Sequence, residues 1–157
     1  MKKSIIYLVA TITALNIFLP LFAGQTDENM PSTSPKVHFK PIDIYIDSGD
    51  EQLAAYQFEL TTKAGQVKIV GVEGGQHTAF AGPPYYDPAA LQNDRIIIAA
   101  FNTSKDLPKS KTRVATLHMQ STGDTEPQYE IKLIVAANSN GKKISGIITL
   151  VNGEIRL

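Results

Sequence analysis

The sequence predicts an all-β fold, an antiparallel two-sheet β-sandwich of eight or nine short strands, jelly-roll-like, with one short helical turn. Three observations lead there. Apolar residues recur with a period of two in segment after segment, and that period sends alternate side chains to opposite faces of a strand. The segments are short and are separated by clusters of Gly, Pro, Asn, Asp and Ser, the residues that turns require. A helix-start signal occurs only at Asp87, ahead of a run that ends by Gln92.

Residues 42–75 set the pattern. Ile42, Ile44 and Ile46 alternate with Asp43, Tyr45 and Asp47; Ala54, Tyr56, Phe58 and Leu60 alternate with Ala55, Gln57 and Glu59; VKIVGV follows, apolar at nearly every position. The connectors SGDEQ and TKAG are polar and carry Gly. Pro41 lacks an N–H, so its part of the first strand is expected at an edge or a bulge. In QHTAFAGPPYYDPAALQ, Pro83 and Pro84 exclude a sheet interior, and Asp87 before Pro88 reads as N-cap and first helical residue. Residues 95–101 (RIIIAAF), apolar on both faces, read as a central strand. Residues 102–111 read as a polar loop. In the next strand Ala115, Leu117 and Met119 share one face, with Val114, Thr116 and His118 on the other. YEIKLIVAA is expected to turn Ile131, Leu133 and Val135 inward. Asn152-Gly153 between apolar runs is a hairpin signal.

The chain divides into three parts. Lys2 and Lys3 precede an apolar run from Ile5 to Ala23, the pattern of a secretory signal peptide over residues 1–23, with cleavage near Ala23. The competing reading is an uncleaved anchor, since the run approaches the length of a membrane span; Asn16 and Pro20 weigh against a permanent span. Residues 24–36 are polar, with two prolines, and are expected to form a flexible linker. Residues 37–157 are the folded domain. The expected location is therefore secreted, periplasmic or cell-surface, most simply in a bacterium. The chain has no cysteine, so disulfides and thiolate metal sites are excluded. Fifteen basic residues balance fifteen acidic ones; loss of the two leader lysines leaves 13 against 15, or −2. Nothing in that balance suits nucleic acid.

No enzyme signature is present. His38, His77 and His118 lie far apart and outside any HExxH or GxSxG pattern, and Gly71, Gly74 and Gly75 lack the Lys-Ser/Thr sequel of a phosphate loop. Asp47, Asp50 and Glu51, with Asp43 on the same strand face as Asp47, are oxygen donors that could gather calcium, although their spacing fits no standard loop; otherwise no cofactor is expected. NSNG at residues 138–141 reads as a plain turn. Phe80, Tyr85 and Tyr86 crowd one irregular stretch. They are either a stacking platform for a sugar ring or peptide, or a plug closing one end of the core.

The ordered segments resemble a cohesin domain, within the sandwich superfamily that also holds carbohydrate-binding modules. DIYIDSGDEQLAAYQFEL is similar to the cohesin opening; VKIVGVEGG resembles its V-x-V-x-x-V-x-x-G segment; RIIIAAFNTSKDLPKSKTRVATLHMQSTG resembles the strand, loop and strand that follow; NGEIRL matches a terminal G-x-I-x-L strand. The likeness spans Val37 to Leu157. Cohesins carry Tyr-Asp-Pro just after the second strand, where this chain has TTKAGQV; YDPAAL occurs here only in the later loop. The resemblance implies a non-catalytic receptor that binds a protein partner, a dockerin or an envelope protein, through a flat sheet face. The outward set Asp43, Tyr45 and Asp47 is a candidate for that face. The alternatives are a polysaccharide-binding module using Phe80, Tyr85 and Tyr86, and a structural envelope component whose last edge pairs with another chain.

Overall fold

Eight strands and two single-turn 3-10 helices follow one another in a computed structural model that describes residues 34–153. The expected signal peptide, the linker up to residue 33 and residues 154–157 lie outside the described residues. The strands are β1 (Val37–Asp47), β2 (Ala55–Ala64), β3 (Gln66–Gly74), β4 (Tyr85–Tyr86), β5 (Arg95–Phe101), β6 (Lys111–Thr122), β7 (Gln128–Ala137) and β8 (Ile147–Asn152). They form two antiparallel four-stranded sheets, β3-β6-β1-β8 (sheet A) and β4-β5-β2-β7 (sheet B). This is the sandwich that the period-two pattern predicts. Among the described residues, no helix is long and apolar enough to cross a membrane.

The core lies between the sheets. Ile42, Ile44, Ile46, Ala115, Leu117, Met119 and Ile69 enter it from sheet A, and Tyr56, Phe58, Leu60, Ile96 and Ile98 from sheet B. Each set is one parity of its strand, as an antiparallel sheet with one solvated face demands. Pro41 sits at an edge, as its missing N–H predicts. From Ile42 to Asp47, β1 has β6 on one side and β8 on the other, but over Val37–Pro41 its only strand partner among the described residues is β6. The Pro41 carbonyl accepts from Gly153 N–H at 3.0 Å, so the imino nitrogen on that same side needs no ladder partner.

Of four bulges, one falls at Lys63 near the end of β2, and the other three change the parity that simple alternation assigns. Val114 is the extra residue opposite Ile44/Tyr45, Val70 lies between Ile69 and Gly71, and Ile134 lies opposite Gln57/Phe58. An inserted residue shifts everything beyond it to the other face. Val114, expected to face outward with Thr116 and His118, is therefore fully buried. Val135, expected inward, is exposed, and Ala136 takes the inward place. β5 is an inner strand of sheet B, as expected, but its two apolar faces are not equally buried. Ile96 and Ile98 are buried, but Ile97 and Ala99 are half-buried and Phe101 is exposed. Among the described elements nothing covers that outer face, and β4 flanks it over only two residues.

Tyr56 ties the sheets together at one of these bulges. Its hydroxyl crosses the core and donates to the carbonyl of Val114 at 2.9 Å. Burial pushes the phenol well above the ordinary tyrosine range, because the charged form cannot be solvated there. Tyr56→Phe leaves a buried carbonyl without its donor and is expected to cost about 1–3 kcal/mol. Urea denaturation measures this; an unchanged midpoint would mean that the Val114 carbonyl finds another donor.

The irregular stretch after β3 is closely tied. Residues Thr78–Phe80 make one 3-10 turn capped by His77, whose Nδ1 accepts from Ala79 N–H at 3.2 Å. Pro88–Ala90 make the second, and the Asp87 carboxylate accepts from Ala89 N–H at 2.9 Å. The expected Asp-Pro helix start is thus a single 3-10 turn. Asn93 and Asn102 add side-chain donors to the carbonyls of Ala89 and Ala79.

Candidate functional site

The aromatic trio from the irregular stretch does not share one surface. Phe80 is only 3% exposed and meets the Tyr56 ring edge-on at 5.1 Å. Tyr86, opposite Ile98, is half-buried and packs against the core. Tyr85 alone faces outward, 67% exposed, and its ring lies at 6.0 Å and 9° from that of Phe101, itself 64% exposed. The β-pairing explains the split: Tyr85 is opposite Ala99 and Tyr86 opposite Ile98, so neighbours in sequence take opposite faces. Phe101 escaped the sequence reading, which noted only that the β5 segment is apolar on both faces. Its shared parity with Ala99, opposite to that of Ile96 and Ile98, is the signal that could have found it.

These rings border a flat patch on the outer face of sheet B. One row across the strands reads Phe101, Ala55, Ala137, and the next reads Tyr85, Ala99, Gln57, Val135. Alanines keep the floor low, with the aromatic pair as a ridge on one side and exposed Val135 on the other. Charge begins one row on, where Glu59 lies between Ile97 and Lys132. Arg95 Nε and Nη2 both donate to Glu59, at 3.2 and 2.9 Å. Those hydrogen bonds hold the Glu59 carboxyl below the usual carboxylate range and raise the Arg95 guanidinium. The patch therefore has an apolar centre with a charged border.

The outer face of sheet A is different. Asp43 accepts from the Thr116 hydroxyl at 2.6 Å, and the same hydroxyl oxygen accepts from Arg113. Arg113 also donates to the Gly74 carbonyl at 3.2 Å, and its Nε lies 3.9 Å from Asp43. Beside this network His118 Nε2 meets Glu73 at 2.8 Å. A half-open cleft of about 450 Å³ runs over these groups, walled on its apolar side by Phe39, Pro41 and the bulged Val70.

The outward set of β1 is largely engaged within the protein. Asp43 is buried in the network just described. Tyr45 is half-buried, with Lys111 Nζ 5.2 Å over its ring. Asp47 accepts from Gly49 N–H at 3.0 Å and so caps the turn after β1. Asp50 and Glu51 are exposed on that turn, where Glu51 accepts from Asn138 Nδ2 at 3.4 Å. Lys142 and Lys143 line the same depression as Asp47 and Glu51. Among the described residues no three His, Cys, Asp or Glu side chains converge as a metal site would require.

Comparison with protein-family models, with curated proteins and with solved structures finds no match.

Proposed function

We propose that the chain is a non-catalytic, exported binding module that recognises a protein partner through the outer face of sheet B. The observation that carries this reading is the flat alanine floor between the stacked Tyr85–Phe101 pair and Val135, bordered by Glu59, Arg95 and Lys132. An apolar centre with a polar rim is the anatomy of a recognition surface, and exposed aromatics supply most of the contact energy at such surfaces. The cohesin resemblance, in which a flat sheet face meets the partner, agrees with this choice of surface. The outer face of sheet A suits it less, because Asp43 and Asp47 are occupied internally. Export rests on the leader over residues 1–23.

The test is capture of envelope and secreted proteins of the source organism on the immobilised full chain, repeated with a Tyr85→Ala/Phe101→Ala double variant. One protein is expected to be retained by the native chain and lost by the variant. Both residues are exposed, so the variant's urea midpoint should stay within about 1 kcal/mol of native. Retention of the same partner by both forms would remove this face from the reading. Retention on polysaccharide instead, abolished by the double variant, would make the aromatic pair a sugar platform.

A further inference from the structure

The cleft on the outer face of sheet A lies on the opposite side of the sandwich from the proposed partner face, and mutually hydrogen-bonded polar groups line it. We propose that it is a second binding site, whose ligand is an uncharged sugar ring, free or at the end of a glycan chain.

Charge decides first. Asp43 faces Arg113, and Glu73 is hydrogen-bonded to His118. At the rim Lys40 pairs with Glu126 at 3.1 Å. An anionic ligand would meet two carboxylates, and a cationic ligand would meet a guanidinium. Neither gains, so an uncharged ligand fits best. The groups on the floor are nevertheless strongly polar and mutually ordered. Thr116 is held between its Arg113 donor and its Asp43 acceptor, so donors and acceptors alternate across the floor in fixed positions. A ligand carrying several hydroxyls, each both donor and acceptor, is the complement of such a surface. Groups that are already ordered lose little freedom on binding.

Shape decides next. Phe39, 59% exposed, and Pro41 on β1 and Val70 on β3 lie toward the same end of the cleft, on either side of His118 of β6. One end of the cleft is thus apolar and the other polar, as the two aspects of a sugar ring are: C–H groups against the wall, hydroxyls toward the floor. A volume of about 450 Å³ lies within the range of small-ligand sites. The bulge at Val70 builds part of the wall, and Gly71, opposite His118, keeps the neighbouring floor open.

Calorimetric titration of the full chain tests this with cellobiose, maltose and diacetylchitobiose, with glucuronic acid and glucosamine as charged counterparts. Retention on cellulose, starch and chitin is measured in parallel. At least one neutral saccharide should bind in preference to both charged sugars. Phe39→Ala should weaken that binding roughly three- to tenfold, the loss of one aromatic contact, at an unchanged urea midpoint. The Tyr85→Ala/Phe101→Ala variant should bind the saccharide like the native chain, which separates this site from the sheet B face. Retention on a polymer without binding of its disaccharide, if lost in Phe39→Ala, assigns the site to a glycan chain rather than a free sugar. No binding of any neutral saccharide, soluble or polymeric, overturns the proposal. So does binding that Phe39→Ala leaves unchanged, or a preference for either charged sugar.

Discussion

Phe80→Ala is expected to lower stability by about 3–5 kcal/mol, the range for deleting a buried aromatic ring. The ring is 3% exposed and meets Tyr56 edge-on at 5.1 Å, at the end of the core that the irregular stretch closes. Its removal would leave the Tyr56 ring facing a cavity, and the surrounding turn cannot easily collapse into it. Phe80 N–H donates to His77 O at 2.9 Å, and its carbonyl accepts from Gly75 N–H at 2.6 Å. Tyr85→Ala, five residues on, should cost under about 1 kcal/mol because that ring already stands in solvent. Urea denaturation of both variants makes the comparison. Similar midpoints for the two would show that Phe80 does not fill the core.

Gly75→Ala is expected to be nearly as damaging, at about 3 kcal/mol or more, the upper part of the overpacking range. A Cβ at Gly75 would lie 2.4 Å from the Arg113 carbonyl oxygen and 2.9 Å from Val114 Cα. Both are backbone atoms of β6 beside its bulge, and they cannot swing aside as a side chain can. The Arg113 carbonyl also accepts from Gln76 N–H at 3.0 Å, so a shift there breaks that hydrogen bond as well. Gly71→Ala is the control. Its Cβ would meet the His118 ring at 3.5 Å, an ordinary contact, and the change should stay within about 1 kcal/mol of native. Thermal or urea unfolding of the pair decides it; equal losses would mean that β3 can move away from β6 at its C-terminal end.

The candidate surfaces were legible in the sequence only in part. The outward parity of Asp43, Tyr45 and Asp47 could be read from alternation, and Tyr85 was singled out only as one of three aromatics in an irregular stretch. The partnership of Tyr85 with Phe101 could not, because it depends on β4 pairing with β5 at Tyr85–Ala99, a register between segments separated by a turn. The cleft over sheet A was also hidden. Asp43, Glu73, Arg113 and His118 come from three strands of widely separated position, and only the order β3-β6-β1 gathers them.

What the sequence by itself determined was the local geometry. Period-two alternation made strands of the segments around Ile42 and Phe58, and the doubly apolar run around Ile98 made another. Asp87 and Pro88 began a helical turn, and Pro41 required a place on β1 where one side of the ladder was open. These follow from interactions within a few residues of the chain. The tertiary structure decided which parity meets the core once a strand is bulged, and whether a doubly apolar strand is covered. Val114 faces in and Val135 faces out because each bulge is a mismatch between two strands paired across the sheet, which neither strand encodes alone. Phe101 is exposed because the sandwich has two layers, so the outer face of β5 has no third layer to meet.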